Sequence, residues 1–132
     1  MLREHVGWIA NLTQHDTTPE QAEAGVFDAE IPWRKHLRDA LTVDVLPYPE
    51  DIRHVSRNVA ELASWCGALT GGKVMIGGAP WLMPVLVTDL RRAGYEPVFA
   101  FSQRRSEESK GIDGSVVKRT VFLHEGFVPA LV

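Results

Sequence analysis

Two pairs of residues bracket one segment of the chain and could together hold an anion. Gly77 and Gly78 end an apolar run, and Pro80 follows them where a helix-like stretch begins. Glycines let the backbone approach a ligand closely, and the first turn of a helix offers free N–H groups, so the pattern suits a phosphate. The spacing is neither a dinucleotide fingerprint nor a Walker loop, and a tight strand-to-helix turn is the simpler explanation of the glycines alone.

The second pair, Arg104 and Arg105, follows the next apolar run and Ser102. Arginine binds phosphate through two parallel hydrogen bonds. In an extended segment neighbouring side chains point to opposite faces, so at most one of the two faces a ligand, and we predict that it is Arg104. A solvated strand end is the alternative interpretation.

Neutral polar side chains follow an earlier apolar run and could read base edges or sugar hydroxyls: Asn11, Thr13, Gln14 and His15. Helix capping and turn formation are the alternative roles of such residues. Because Asp16, Thr17 and Thr18 suffice for a cap, Asn11 and Gln14 are predicted to stay free for a ligand.

The elements that must position these residues alternate along the chain. Apolar runs predict strands over 6–12, 73–78, 96–102 and 116–128, and helix-like patterns lie between the first three. Proline and acidic residues mark helix starts near Pro19, Pro49 and Pro80, and a further amphipathic stretch covers 31–43. The polar segment 104–115, with a turn signal at Asp113–Gly114, is predicted to be a loop.

This order predicts one α/β domain over 1–132, a small Rossmann-like domain of three layers and about four strands. Strands separated by helices favour a parallel sheet with right-handed crossovers, and the last strand, which follows no helix, is expected to be antiparallel. A homodimer is expected because the sheet is small and the chain carries four tryptophans. Ligands of such sheets bind beyond the carboxyl ends of the strands. The predicted ligand-binding residues there are Asn11, Thr13, Gln14, Gly77, Gly78, Ala79, Trp81 and Ser102.

Composition restricts the function classes. The 132 residues carry a formal net charge of −3, which argues against duplex nucleic acid as the main partner. Cys66 is the only cysteine, which excludes an intramolecular disulfide and gives no sign of a cysteine-based zinc site. His15 and His124 lack an evident third ligand, so no metal and no cofactor is predicted. No apolar run suits a signal peptide or a membrane helix, so a cytoplasmic location is expected.

Three segments of the chain carry a resemblance to known families: NLTQHDTTPEQ, GGAPWLMPVLVTDLRRAGYEPVFAFSQR and FLHEGFV. They resemble small uncharacterised proteins of phages and mobile elements that open on N-L-T-x-H-x-x-T-P-E-Q. The chain is more distantly similar to small CRISPR-associated proteins with a CARF-like fold, which bind or degrade cyclic oligoadenylate.

The resemblance implies a dimer that binds a nucleotide second messenger, such as cyclic oligoadenylate, across its rim and cleaves it as a ring nuclease. Such cleavage needs no metal, because a ribose 2′-hydroxyl of the ligand can attack the neighbouring phosphate once it is held in line. His15 is then the candidate proton shuttle, and Arg104 is the candidate stabiliser of the developing charge. Two alternatives stay open: a sponge that holds the same ligand intact, and a protein-interaction module of a mobile element.

Overall fold

The structure, a computed structural model, describes residues 8–131 and contains five strands and four helices in that range. The strands are β1 (Ile9–Asn11), β2 (Val26–Phe27), β3 (Lys73–Ile76), β4 (Glu96–Lys110) and β5 (Val116–Pro129). The helices are α1 (Pro19–Glu23), α2 (Ile31–Leu41), α3 (Pro49–Trp65) and α4 (Met83–Arg92). No helix in the described range is long and apolar enough to cross a membrane.

The strands form one sheet in the order β2-β1-β3-β4-β5. The first four strands run parallel to their neighbours, and β4 pairs with β5 antiparallel. The prediction of a mixed α/β domain with a mainly parallel sheet and an antiparallel last strand is therefore confirmed. The predicted strand count was too low, because β2 has only two residues and so gives no periodic signal.

Local signals fix most helix ends. Thr18 and Gln21 form a capping box at the start of α1, with Pro19 in its first turn. The end of α3 comes at Gly67 rather than at the later glycine pair, because Gly67 adopts a φ of 92° that favours glycine. The last helix, α4, begins at Met83 with Pro84 in its first turn, three residues later than Pro80 suggested.

Side chains of alternate strand residues enter two apolar clusters on opposite faces of the sheet. Ala10, Val74 and Ile76 pack in the larger cluster with buried residues of α2, α3 and α4, among them Leu37, Val59, Leu86 and Leu90. The smaller cluster joins Ile9, Val26, Met75 and Val98, with Ala100 and Phe127 packed against it. Burial on both faces explains why the parallel strands are continuous apolar runs in the sequence.

The last two strands extend well beyond the rest of the sheet. The final pair between β3 and β4 is Ile76 with Phe99, whereas β4 stays paired with β5 as far as Lys110 with Val116. We call this extension, residues 102–124, the arm. The expected polar loop over 104–115 is thus wrong for most of its length: 104–110 belong to β4, and only 111–115 form the turn. All of residues 101–110 are exposed.

The thiol of Cys66 provides a test of the core. The residue is buried in the larger cluster, and burial raises the pKa of its thiol to about 11. Because the thiolate is the reactive form, only on the order of one thiol in a thousand is ionised at pH 8. We expect no reaction with a disulfide reagent in native buffer and one equivalent in denaturant, measured by absorbance. Rapid reaction of the native protein would contradict this packing.

Candidate functional site

β1 and β3 end at one edge of the sheet, as the sequence predicted, whereas β4 runs past this edge to Lys110 and only its residues Phe99 and Ala100 line the cavity there. Asn11 pairs with Met75, and Ile76 pairs with Phe99, so β1, β3 and β4 lie side by side at this edge. A cavity of about 280 Å³ opens there, which we call the rim cavity. Its lining joins the end of β3 and the middle of β4 to the loop after β1, with residues Thr13, Gln14, His15, Asp16, Thr18, Gln21, Met75, Ile76, Gly77, Gly78, Phe99 and Ala100.

The loop after β1 is held by the side chain of Asn11, which is only 4% exposed. Its Nδ2 donates to the carbonyl of His15 at 2.8 Å and to Oδ1 of Asp28 at 2.8 Å. Its Oδ1 accepts from the amide N–H of Thr13 at 2.9 Å and from the Thr13 hydroxyl at 2.7 Å. The expectation that Asn11 stays free for a ligand was therefore wrong, because its amide group is used inside the protein.

Asp28 completes this network from the end of β2. It accepts from the Thr17 hydroxyl at 2.7 Å, and its other oxygen lies 3.4 Å from Nη1 of Arg34. No pattern in the sequence points to Asp28, because its position directly after a parallel strand becomes visible only when the two-residue β2 is known. Arg34 and Arg38 also form ion pairs with Asp16, at the edge of the rim cavity.

The Gly77–Gly78 turn forms the floor of the site. Gly78 has a φ of 126°, a backbone conformation that residues with a side chain rarely adopt. At Gly77 a Cβ atom would meet only Cγ2 of Thr13, at 3.9 Å, which is an ordinary contact. At Gly78 a Cβ atom would meet no atom within 4 Å, so the backbone of the turn is open there.

The same turn borders two further cavities. An apolar cavity of about 480 Å³ lies between the turn and α4, lined by Pro80, Met83, Pro84, Val87, Phe99, Ala130 and Leu131. A third cavity of about 230 Å³ contains Gln14, Thr42, Ala79 and Trp81. Gly77 and Gly78 line all three cavities, which together we call the rim groove.

The predicted site residues fall into three groups. Thr13, Gln14, His15, Gly77 and Gly78 line the rim cavity. Ala79 and Trp81 lie in the adjoining cavity, which Gln14 also lines, and 41% of Trp81 is exposed. Ser102 and Arg104 lie on the arm and line neither of these cavities.

The position of Arg104 corrects the prediction that β4 ends beside it. Arg104 lies four residues beyond Ala100, about 13 Å at the rise of an extended strand. Its guanidinium lies over the ring of Phe122, 5.5 Å from the centroid. A phosphate at the Gly77–Gly78 turn is therefore distant from Arg104 of the same chain, and in the described residues the lining of the rim cavity contains neither arginine nor lysine.

Comparison with known proteins identifies the family. The model of the Uncharacterized protein MJ1673 family matches residues 8–128, and the chain belongs to that family. Neither a curated protein nor a solved structure matches the chain.

The Asn11–Asp28 network predicts the effect of Asp28→Asn. The substitution removes the negative charge beside Arg34 and replaces one acceptor oxygen by an NH2 group. In either orientation of the amide this NH2 faces donors: the Asn11 and Thr17 side chains on one side, or the Thr17 N–H and Arg34 on the other. Hydrogen bonds to charged groups contribute about 1.5–3 kcal/mol each, and we expect the free energy of unfolding in urea to fall by at least that much. Asp39→Asn, at an exposed position of α2, is the control and should change it by less than about 0.5 kcal/mol. Equal effects of the two substitutions would show that the network does not hold the loop.

Proposed function

We propose that the protein binds a nucleotide second messenger of the cyclic oligoadenylate class in the rim groove, on a Rossmann-like domain related to the CARF-like proteins. The observation that carries the proposal is the convergence of the ends of β1 and β3, beside Phe99 of β4, on a glycine turn that leads into α4. Ligands of open parallel sheets bind at such an edge. A Cβ atom at Gly78 would meet nothing within 4 Å, and one at Gly77 would meet only the Thr13 methyl group, so the turn leaves room for a phosphate.

Adenine is the base that the neighbouring cavity suits. Gln14 and Trp81 line that cavity together. A glutamine amide can pair with both the amino group and a ring nitrogen of adenine, and a base can stack on an exposed indole. Gln14 donates one hydrogen bond from Nε2 to Thr42 at 3.2 Å, which orients the amide and leaves its carbonyl oxygen to accept from the base.

His15 is the residue that we propose for proton transfer. Its backbone is fixed by the Asn11 amide and the Thr13 hydroxyl, while the residue is exposed and lines the rim cavity. A ribose 2′-hydroxyl would give its proton to the imidazole as its oxygen attacks the adjacent phosphorus. The bond from phosphorus to the 5′-oxygen breaks, a 2′,3′-cyclic phosphate forms, and the proton passes to the departing 5′-oxygen.

One observation favours the sponge as the second candidate. Cleavage concentrates negative charge on the phosphate, and the lining of the rim cavity offers no arginine or lysine side chain from the described part of the chain to stabilise it. Backbone N–H groups of the glycine turn would have to supply that stabilisation. A protein that only sequesters the ligand needs the rim groove but needs no cationic side chain to stabilise a cleavage step.

Incubation with cyclic tri-, tetra- and hexaadenylate separates these functions. Linear products in chromatography, with the protein free of metal, support the ring nuclease. A rise in melting temperature with the ligand recovered intact supports the sponge. If the protein neither binds nor cleaves any of the three rings, the nucleotide proposal is overturned and the protein-interaction module remains.

The first prediction from this proposal concerns His15→Ala. A positioned general acid or base contributes roughly 10²–10⁴-fold to a rate, so we expect cleavage to fall by that factor while ligand binding changes little. His54→Ala, on the exposed side of α3, is the matched control and should leave the rate unchanged. Single-turnover cleavage and titration of each variant measure the two quantities. A rate that survives His15→Ala would exclude His15 as the proton shuttle.

The second prediction uses the open position of Gly77. In Gly77→Ala the added methyl group makes only an ordinary contact with Thr13, so the fold should accept it. The methyl group occupies space beside the phosphate position, and we expect ligand affinity to fall about tenfold or more, since one lost contact to a charged group is worth about 1.5–3 kcal/mol.

Gly126→Ala is the control for Gly77→Ala. Gly126 lies in β5, has an ordinary φ, and would present its methyl group to open space. Both variants should melt near the temperature of the unchanged protein, and only Gly77→Ala should lose affinity in isothermal titration. Unchanged affinity in Gly77→Ala would show that the ligand does not bind at the Gly77–Gly78 turn.

A further inference from the structure

The arm exposes one edge of β4. Up to Phe99 that edge pairs with β3, and beyond Phe99 no strand of residues 8–131 pairs with it. The exposed edge runs from Ala100 to Lys110, with β5 on the other side of the strand. A row of unpaired N–H and C=O groups is a template for another strand, and a two-stranded ribbon alone is only marginally stable in water.

The sequence of this edge is self-complementary in charge. It reads Arg104-Arg105-Ser106-Glu107-Glu108. When such a strand pairs antiparallel with a copy of itself about Ser106, each arginine lies directly opposite a glutamate. Side chains that lie opposite each other in an antiparallel pair share a face, with Cα atoms about 4.5–5.5 Å apart, and opposite charges there are stabilising.

The contacts inside one chain leave these charges available. Glu107 lies 3.3 Å from Arg119 through Oε2, and Glu108 lies 3.6 Å from Lys118 through Oε1. Each carboxylate keeps a second oxygen for another cation. In the described residues neither Arg104 nor Arg105 forms an ion pair, and Arg104 contacts the ring of Phe122 instead.

Charges at an exposed strand edge often prevent association, because like charges repel when two edges approach. The charges of β4 have the opposite property, since antiparallel self-pairing brings only unlike charges together at four positions. We propose that a second copy of this chain pairs its β4 with this edge, antiparallel and with the two-fold axis at Ser106. The result is a closed dimer with a continuous four-stranded ribbon, in the strand order β5-β4-β4-β5.

This register also affects the rim groove. Beyond the end of β4 at Lys110, it directs the partner subunit's turn, residues 111–115, towards Phe101 and Ala100, where β3 has just turned away at Gly77. Ile112 is fully exposed in a single chain, whereas Ala100 lines the rim cavity. The partner's turn would thus border the ligand groove. A role in holding the ligand rests on the proposed function, whereas the strand pairing itself does not.

Cysteine cross-linking tests the register. In the Ser106→Cys variant the two introduced thiols face each other across the axis, within the Cα separation that a disulfide bridges. In Ser102→Cys, an exposed position on the same strand, the two thiols lie roughly 27 Å apart, eight residues at the rise of a strand. Cys66 is buried and does not compete.

We expect mild oxidation to give a covalent dimer with Ser106→Cys and not with Ser102→Cys, as seen on a non-reducing gel. Absence of a dimer with Ser106→Cys, or equal cross-linking of both variants, would overturn the proposed pairing.

Charge reversal gives a second readout that needs no cross-link. We expect R104E/R105E and E107R/E108R each to run as monomers in light scattering, because like charges then face each other across the axis. An equimolar mixture of the two should form a heterodimer. Variants that stay dimeric alone, or a mixture that stays monomeric, would overturn the proposal. Neither readout uses a nucleotide, so failure here is distinguishable from failure of the ligand proposal.

Discussion

The unequal lengths of β3 and β4 determine the features of this structure that bear on function. β3 leaves the sheet after Ile76, whereas β4 continues to Lys110. Backbone polar groups must find partners, so the early end of one strand requires a turn on one side and leaves an unpaired edge on the other. The turn at Gly77 and Gly78 opens the rim groove, and the unpaired edge makes the arm available to another strand.

On the other side of the rim groove, buried and exposed polar residues have different roles. Asn11 and Asp28 lie beneath the loop after β1 and use their hydrogen-bonding groups on the chain itself. Because they fix the backbone of the loop, the side chains of Gln14 and His15 can remain exposed at its surface without the loop losing its shape. Polar residues of similar type thus have different roles within five positions, and burial separates the two roles: Asn11 is buried and His15 is exposed.

The sequence predicted what local signals encode. Proline and capping residues marked α1 and α3, and continuous apolar runs marked β1, β3 and the first part of β4. It could not predict β2, whose two residues carry no period, and so it could not reveal Asp28 as the residue that ends a strand. The β4 half of the arm was missed because residues 103–110 are polar at every position, whereas its β5 half was predicted within the strand over 116–128. The strand conformation of residues 103–110 comes from pairing with β5, a tertiary contact that overrides local composition.

The length of β4 decides which role Arg104 and Arg105 can have. If they lay at the end of a short strand, their guanidinium groups would be free to bind a phosphate. Considered as part of a long edge strand, they lie one and two residues before Ser106, with glutamates at the mirrored positions. An arginine that pairs with a glutamate of a second copy is no longer available to an anionic ligand. A ligand in the rim groove would then depend on backbone N–H groups and neutral side chains. Such contacts are weakly screened by salt, whereas pairing of the exposed charges on the arm should weaken as salt increases.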